Sequence, residues 1–435
     1  MKKILIVGSG AREVAIARKV ANSPVENSIF CVSKDVNPQI KNLCEDYFKA
    51  SPTSLSEIVG YSKKNSIDLA IIGPENPLAA GVVNELESVG VQCVGPKKEV
   101  AMIETSKSFA RNIIDLCAAE KNPKRKEFVS TSGVRRFIEE LGGEYVIKFD
   151  GLMGGKGVQV SGEHLKSVDD CISYAKEIVS GGGKFLIEEK IVGEEFSLMS
   201  FSDGRVCKHM PVVQDHKRAY EGDLGPNTGG MGTYSFANHS LPFLTEQDIF
   251  EAQKTNELVA KQLFIETGIP YVGILYGGFM LTSSGVKVIE YNARFGDPEA
   301  MNVLGIMDSD FLTICFSMVE GTLSTQDVSF EKIATVCKYV VPEGYPNKPA
   351  KGFEVFCDIE NPSIYLASVM FEKEQLVACG SRTAAVLGKD KSIKEAEALA
   401  ERGVSEISGK LFHRKDIGTQ KLISSRIKRM ENILK

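Results

Sequence analysis

The sequence lacks the spacings that hold zinc. Its ten cysteines, scattered from Cys31 to Cys379, include no Cys-x-x-Cys, and its five histidines include no His-x(3–5)-His, so a zinc centre of ordinary spacing is excluded. Scattered unpaired cysteines suit a reducing, cytoplasmic setting, where they act as small apolar residues. No apolar run approaches the ~18–20 residues of a membrane span. The N-terminal apolar stretch, residues 4–7 behind Lys2 and Lys3, stops at Gly8 and reads as a first buried strand rather than a leader peptide. An excess of basic charge is missing too. Lys and Arg number 52 against 57 Asp and Glu, a net charge of −5, which argues against a broad nucleic-acid-binding face. An anionic substrate remains open, because a few cations in one cleft set the local field. Low-complexity tracts, internal repeats and any Ser–His or Cys–His nucleophile pattern are absent. What is present is the composition of a folded protein, 43% hydrophobic and 25% charged over 435 residues, enough for roughly two to four domains.

Strands alternate with helices at the start. Residues 4–7 form a short β-branched run, followed by Gly8-Ser9-Gly10 and a helical pattern at Val14, Ile16, Ala17 and Val20. Further strands are expected at 29–32, at 69–72 before Gly73-Pro74, and at 92–94 before Gly95-Pro96. Such alternation implies a parallel sheet covered on both faces, and it delimits an N-terminal α/β domain at 1–103. Residues 104–325 make a middle domain. Within it, about 124–192 form a lobe of strands at 146–149, 158–160 and 185–188 with a helix at 167–180. Strands at 195–201 and 286–291 and a long helix at 246–268 follow. The last part, 326–435, reads as a small α+β domain with strands at 335–341, 363–372 and 375–380 and one helix at 393–407. The fold class is thus multidomain, α/β followed by α+β.

Glycine-rich loops sit where strands end. Gly8-Ser9-Gly10-Ala11-Arg12-Glu13 begins like a dinucleotide-binding turn, but Glu13 stands where that motif needs a small residue. A nicotinamide oxidoreductase therefore fails at Glu13. A helix N-terminus beside glycines still binds anions, with Arg12 as a guanidinium suited to phosphate, and a plain tight turn is the bland alternative. Gly151-Leu152-Met153-Gly154-Gly155-Lys156-Gly157 lacks the spacing of a Walker A loop. It can still fold over phosphates, with Lys148 reaching from the preceding strand. By itself, a surface hairpin with a solvated lysine fits as well. Glu290 and Asn292 alternate on one strand and share a face. They are hard oxygen ligands suited to Mg²⁺, or else a solvent-facing strand edge. Arg294 follows closely and can hold a transferring phosphoryl group. Glu188-Glu189 and Glu194-Glu195 flank a short linker able to present backbone groups to a base and a carboxylate to a sugar; a charged turn is the simpler reading. Residues 214–218 (Gln-Asp-His-Lys-Arg) and 225–232 concentrate donors and glycines, either for close backbone approach to a ligand or as a solvated loop.

In order and together, these segments resemble the glycinamide ribonucleotide synthetase family across essentially the whole chain. The motifs that carry the resemblance are residues 8–13, 73–75, 106–107, 146–158, 187–195, 214–218, 225–232, 276–280, 288–299 and 414–418. It implies an ATP-grasp fold, with two central lobes holding ATP between them. ATP would meet Lys107, Lys148, Lys156 and Gly157 at its phosphates. Glu188, Glu189 and Ile191 would lie at the base and Glu195 at the ribose. Mg²⁺, with Mn²⁺ as an alternative, would sit on Glu290 and Asn292. Gly10, Arg12, Glu13, Pro74 and Glu75 would hold 5-phosphoribosylamine, and Asp215, Lys217 and Asp297 would help hold glycine and the reacting amine. Arg294, Lys156 and Asp215 would be catalytic.

The implied reaction phosphorylates the glycine carboxylate and lets the amine displace phosphate, which needs no side-chain nucleophile. The implied partners are small molecules, without nucleic acid, membrane or an obligate protein partner. Two features depart from the family. Val14 stands where a histidine is usual, and residues 111–130 follow the pattern poorly. Another ATP-grasp carboxylate–amine ligase is the nearest alternative, opposed by the 214–218 and 225–232 strings. A nucleotide-binding module without catalysis is opposed by retention of Lys107, Lys148, Glu290, Asn292 and Arg294.

Overall fold

The structure, a computed structural model, describes residues 1–153 and 157–435. The expected phosphate contact and catalytic role of Lys156 lie outside the described residues. The first domain is a parallel sheet of β1 (Lys2–Val7), β2 (Asn27–Ser33), β3 (Cys44–Lys49), β4 (Leu69–Ile72) and β5 (Gln92–Val94), in the order β3-β2-β1-β4-β5. Strand β4 is apolar throughout and β1 nearly so, because helices cover both faces. Ile4, Ile6, Leu69 and Ile71 join one core, while Leu5, Val7, Ala70 and Ile72 join another. The order runs outward from β1 in both directions, so a crevice opens between the carboxyl ends of β1 and β4. The glycine loops after Val7 and Ile72 leave the sheet there. Strand β3 is a half-exposed edge reading Cys-Glu-Asp-Tyr-Phe-Lys, which offers no apolar run and so left no strand signal.

The lobe is a small antiparallel sheet of β6 (Arg125–Phe128), β7 (Tyr145–Phe149), β8 (Val158–Val160) and β9 (Phe185–Glu189), ordered β6-β9-β7-β8. Its core is its own: Phe128, Tyr145, Ile147, Phe185 and Ile187 pack under helices Val134–Glu140 and Val168–Ser180. Alternation then turns Val146, Lys148 and Glu188 to the opposite face, toward the rest of the molecule. The larger lobe is a four-stranded antiparallel sheet of Cys207–His209, Gly193–Asp203, Val272–Thr282 and Gly285–Asn292, in that order. Helices Lys107–Ala118 and Glu246–Thr267 pack against it.

The last sheet does not respect the sequence's divisions. Gln214–Asp215 and Gly232–Ser235, from the middle of the chain, pair onward to Ala334–Pro342, Ala384–Asp390 and Ile364–Leu366. The single strand expected at 363–372 is two. Ile364–Leu366 joins this sheet, whereas Val369–Glu372 pairs with Gln375–Ala378 in a separate ribbon. A second helix, Gln420–Ile433, follows Ile393–Ser405. Its apolar residues Leu422, Ile423, Ile427, Met430 and Ile433 recur at helical spacing among Lys, Arg and Ser. Ile423, Ile427, Met430 and Ile433 pack on the core, in a helix the sequence carries beyond the one expected.

Candidate active site

At the β1/β4 crevice, helix Ala11–Ala21 begins at Gly10 with free backbone N–H groups. Gly8 takes φ +117°, and a Cβ there would stand 2.8 Å from Pro74. The cradle between the two loops is filled by Glu13, which is 2% exposed. Its carboxylate accepts from the Gly10 N–H at 2.5 Å and from Arg12 Nε at 2.6 Å. A Cβ on Gly73 would meet Glu13 Oε1 at 2.0 Å. Glu13 and Gly10 therefore shape the crevice from behind, and Arg12, Pro74 and Glu75 face the open cleft. Arg12 also donates to the Phe295 carbonyl at 3.1 Å, joining the first domain to the turn after Asn292. Val14, at the position of the usual histidine, is fully buried in the core.

Opposite, Lys148 and Glu188 project from the lobe sheet. Glu188 takes both oxygens to Arg111, with Nε–Oε1 at 2.7 Å and Nη2–Oε2 at 2.8 Å, and also meets Lys148 Nζ at 2.8 Å. Burial pushes its carboxyl up, but Arg111 and Lys148 win and hold it down to about 2. Burial lowers Lys148, with Glu188 opposing. Arg111 further donates to the carbonyls of Val288 and Ile289, so it braces the lobe against the strand that carries Glu290. No motif points to Arg111, which sits in the stretch that fits the family pattern poorly, on a helix that also carries Lys107 and Asp115. Lys107, at the first turn of its helix, donates Nζ to the Gly151 carbonyl at 2.8 Å. Asp150 accepts from the Lys107 N–H at 2.5 Å and the Ser108 N–H at 3.2 Å and pairs with Lys184 at 2.9 Å.

Strand Gly285–Asn292 delivers Glu290 and Asn292 to the cleft. Glu290 meets Lys217 Nζ at 3.6 Å, and Lys217 also meets Glu195 at 3.3 Å. Burial raises the Glu290 carboxyl, yet Lys217, Lys107, Lys148 and Arg294 together bring it to about 2, so it stays an anion at any working pH. Lys217 is lowered by burial but driven higher overall by Glu195 and Glu290. Arg294 lies between two acids, Glu104 at 3.1 Å and Glu75 at 3.4 Å, and donates to the Asn292 amide oxygen at 3.3 Å. Glu104, 7% exposed, also accepts from the Ala293 N–H at 2.7 Å. No motif points to it either, as one of two acids on helix Lys98–Thr105.

The stretch at 214–219 is buried or half-buried, whereas the tip at 220–225 is largely exposed. His216 is 1% exposed. Its Nδ1 faces the Gly232 carbonyl at 3.1 Å, and burial with Arg426 and Arg414 nearby lowers it to about 3, so it is neutral and moves no proton near neutrality. Asp215 is raised by burial and by Glu299. Asp297 accepts from the Tyr339 hydroxyl at 2.6 Å and pairs with Arg382 at 2.9 Å. Arg382 also donates to the carbonyls of Gly229 and Asp297, at 2.9 and 2.8 Å, so the last domain fixes both turns at once. Arg382, Arg426 and Arg429 line the cleft, and no sequence motif pointed to them.

All three domains enclose one cleft of about 950 Å³, within the range of nucleotide-sized sites. Arg12, Pro74, Glu75, Lys107, Lys148, Gly157, Glu188, Glu189, Ile191, Glu195, Asp215, Lys217, Glu290, Asn292, Arg294 and Asp297 all line it. No cluster of three His, Cys, Asp or Glu able to hold a metal occurs among the described residues. An ionised carboxylate and an amide oxygen on one strand face fit a hard cation that takes its remaining ligands from phosphates and water.

Three family models cover most of the chain. They are the phosphoribosylglycinamide synthetase N domain at residues 2–104, its ATP-grasp (A) domain at 105–300 and its C domain at 335–420. The phosphoribosylamine–glycine ligase of Methanosarcina barkeri is 46% identical over 432 residues, 99% of each chain. The crystal structure of the Thermotoga maritima phosphoribosylamine–glycine ligase superposes with a TM-score of 0.80 at 26% identity, covering 95% of this chain and 99% of that one. A Campylobacter jejuni biotin carboxylase shares the fold at 14% identity, with a TM-score of 0.71 over 99% of this chain and 95% of that one.

Proposed function

This chain belongs to the phosphoribosylglycinamide synthetase family, and from that premise we propose that its cleft joins glycine to 5-phosphoribosylamine through glycyl phosphate, consuming ATP and releasing ADP and phosphate. It is an ATP-grasp carbon–nitrogen ligase of purine biosynthesis. The observation that carries the residue assignment is the convergence of Lys107, Lys148, Lys217 and Arg294 around Glu290 and Asn292, at the meeting of three domains.

A carboxylate resists attack by an amine because it is anionic and has no leaving group. Phosphorylation supplies one. Lys107 and Lys148 hold the triphosphate, the linker after Glu188 receives the base, and Glu195 the ribose. Glu290 and Asn292 hold Mg²⁺, or Mn²⁺ in its place. When bound, that ion offsets negative charge on the phosphates. Arg294, fixed by Glu104 and Glu75, keeps a guanidinium at the transferring group without reorganising. The crevice behind Arg12, Pro74 and Glu75 takes the sugar phosphate at the helix N-terminus, while Asp215, Lys217 and Asp297 orient glycine and the amine. Nothing asks for a covalent enzyme intermediate, and none of the buried thiols is placed for one. We place the reaction in the cytoplasm; no helix among the described residues is long and apolar enough to cross a membrane.

The test is direct. Purified protein with ATP, Mg²⁺, glycine and freshly made phosphoribosylamine is expected to give ADP and glycinamide ribonucleotide in equal amounts. ADP release that ignores glycine would remove the proposal.

A further inference from the structure

Across the mouth of the cleft, the lobe touches the substrate loop through charge. Glu163 and His164 lie on the turn after β8, at the free end of the lobe. Arg218 begins strand Arg218–Tyr220, which pairs with Leu224–Asn227 between the 214–217 segment and the glycine-rich 225–232 loop. Its Nη2 donates to the Glu163 carboxylate, and its Nη1 donates to the Gly225 carbonyl at 2.9 Å. The Arg218 backbone carbonyl in turn accepts from Arg414 at 3.1 Å, a fully buried guanidinium pinned by Asp416 and Asp223. Arg218 is thus anchored from the last domain and held at the glycine loop, and the lobe comes to it. The neighbouring Lys217 contacts Glu195 and Glu290, so both ends of this short segment bear on the site.

A pair with side chains 23% and 43% exposed contributes little to global stability. A lobe with its own hydrophobic core, however, moves as a unit, and small energies shift such an equilibrium. We propose that Arg218 and Glu163 form the latch that keeps the lobe shut between phosphoryl transfer and amine attack, tying closure to the ordering of the substrate loop. The inference rests on the reaction through glycyl phosphate proposed above. That intermediate has two fates. The amine can displace phosphate. Alternatively, water can attack the acyl carbon and lose a proton to solvent as the acyl C–O bond breaks, giving glycine and inorganic phosphate. A shut lobe excludes water and selects the first fate.

The experiment measures ADP formed per glycinamide ribonucleotide formed, with all substrates saturating. The wild type is expected at one. E163Q and R218Q are expected at two or more, with E163D between E163Q and wild type because it keeps the charge. E144Q is the control: Glu144 is the other carboxylate beside Lys190, at 3.3 Å, while Glu163 lies 4.0 Å from the same ammonium. Its ratio is expected to stay at one. An E163Q protein that melts like wild type and still gives one ADP per product overturns the latch. A wild type without glycine-dependent ADP release overturns the underlying reaction instead, so the two failures are distinct.

Discussion

At the scale of single residues, the site is built from charges that satisfy one another before any ligand arrives. Glu188 is the clearest case. Replacing Arg111 by Met leaves a buried carboxylate with only Lys148, and the expected loss is about 3–5 kcal/mol of stability, read from urea denaturation. Because folding holds the Glu188 carboxyl below its unfolded value, its contribution is complete above about pH 4–5. It is lost as pH falls toward about 2. The urea midpoint of the wild type should drop over that interval, and Glu188→Gln, already destabilised, should drop less. Gly73→Ala places a methyl 2.0 Å from Glu13 Oε1, and the expected cost is about 1–3 kcal/mol, with weaker binding of the sugar phosphate. Glu290→Gln removes the one anion on the strand face. Turnover should fall roughly 10²–10³-fold and the Mg²⁺ needed for half-maximal rate should rise; an unchanged Mg²⁺ titration would reassign the residue. Glu290 and Asn292 were legible as sharing a face because alternation on a strand fixes which residues point together, while Arg294 lies just past the strand's end. Arg111 and Glu104 were not legible, since the partners that matter, Glu188 for the one and Arg294 for the other, lie far along the chain.

Secondary elements decide what can move. The lobe sheet packs on its own two helices, and polar contacts tie it to the rest, among them the Arg111–Glu188–Lys148 group, the Arg125–Asp115 and Arg218–Glu163 pairs, and Asp150. Asp150 satisfies two orphan N–H groups at the start of helix Lys107–Ala118, an interaction favoured by the helix dipole. Asp150→Ala should therefore raise KM for ATP several-fold while costing about 1 kcal/mol of stability, whereas a change in melting temperature without a change in KM would make Asp150 merely a cap. Strand Gly285–Asn292 was readable from its alternation, and helix Glu246–Thr267 from an uninterrupted run without Pro or Gly that stops at Gly268. Edge strand Cys44–Lys49 was not, because it is half-exposed and has no apolar run, so its pairing to β2 completes it.

For the whole molecule, closure of one cleft by three domains is the feature that matters. Arg382 joins the last domain to the glycine loop and to Asp297 through several contacts and lies over the Tyr339 ring at 4.2 Å. A lysine cannot reproduce that fork. Arg382→Lys is thus expected to raise KM for glycine or phosphoribosylamine about as much as Arg382→Ala, with KM for ATP little changed. Rescue by lysine would reduce Arg382 to a simple charge. By itself the sequence determined the parallel first domain, the glycine loops at strand ends, the carboxylate–amide pair and, through ordered motifs, the family. Local rules of period and turn chemistry act over a few residues, and the chain states them openly. Only the tertiary structure decided that Gln214–Asp215 and Gly232–Ser235 belong to the last sheet, that Glu13 fills the crevice it was expected to line, and that Arg111, Arg218 and Arg382 wire the lobes together. Those contacts join residues tens to hundreds of positions apart, and pairing at such range is set by how the domains pack, which no local pattern records.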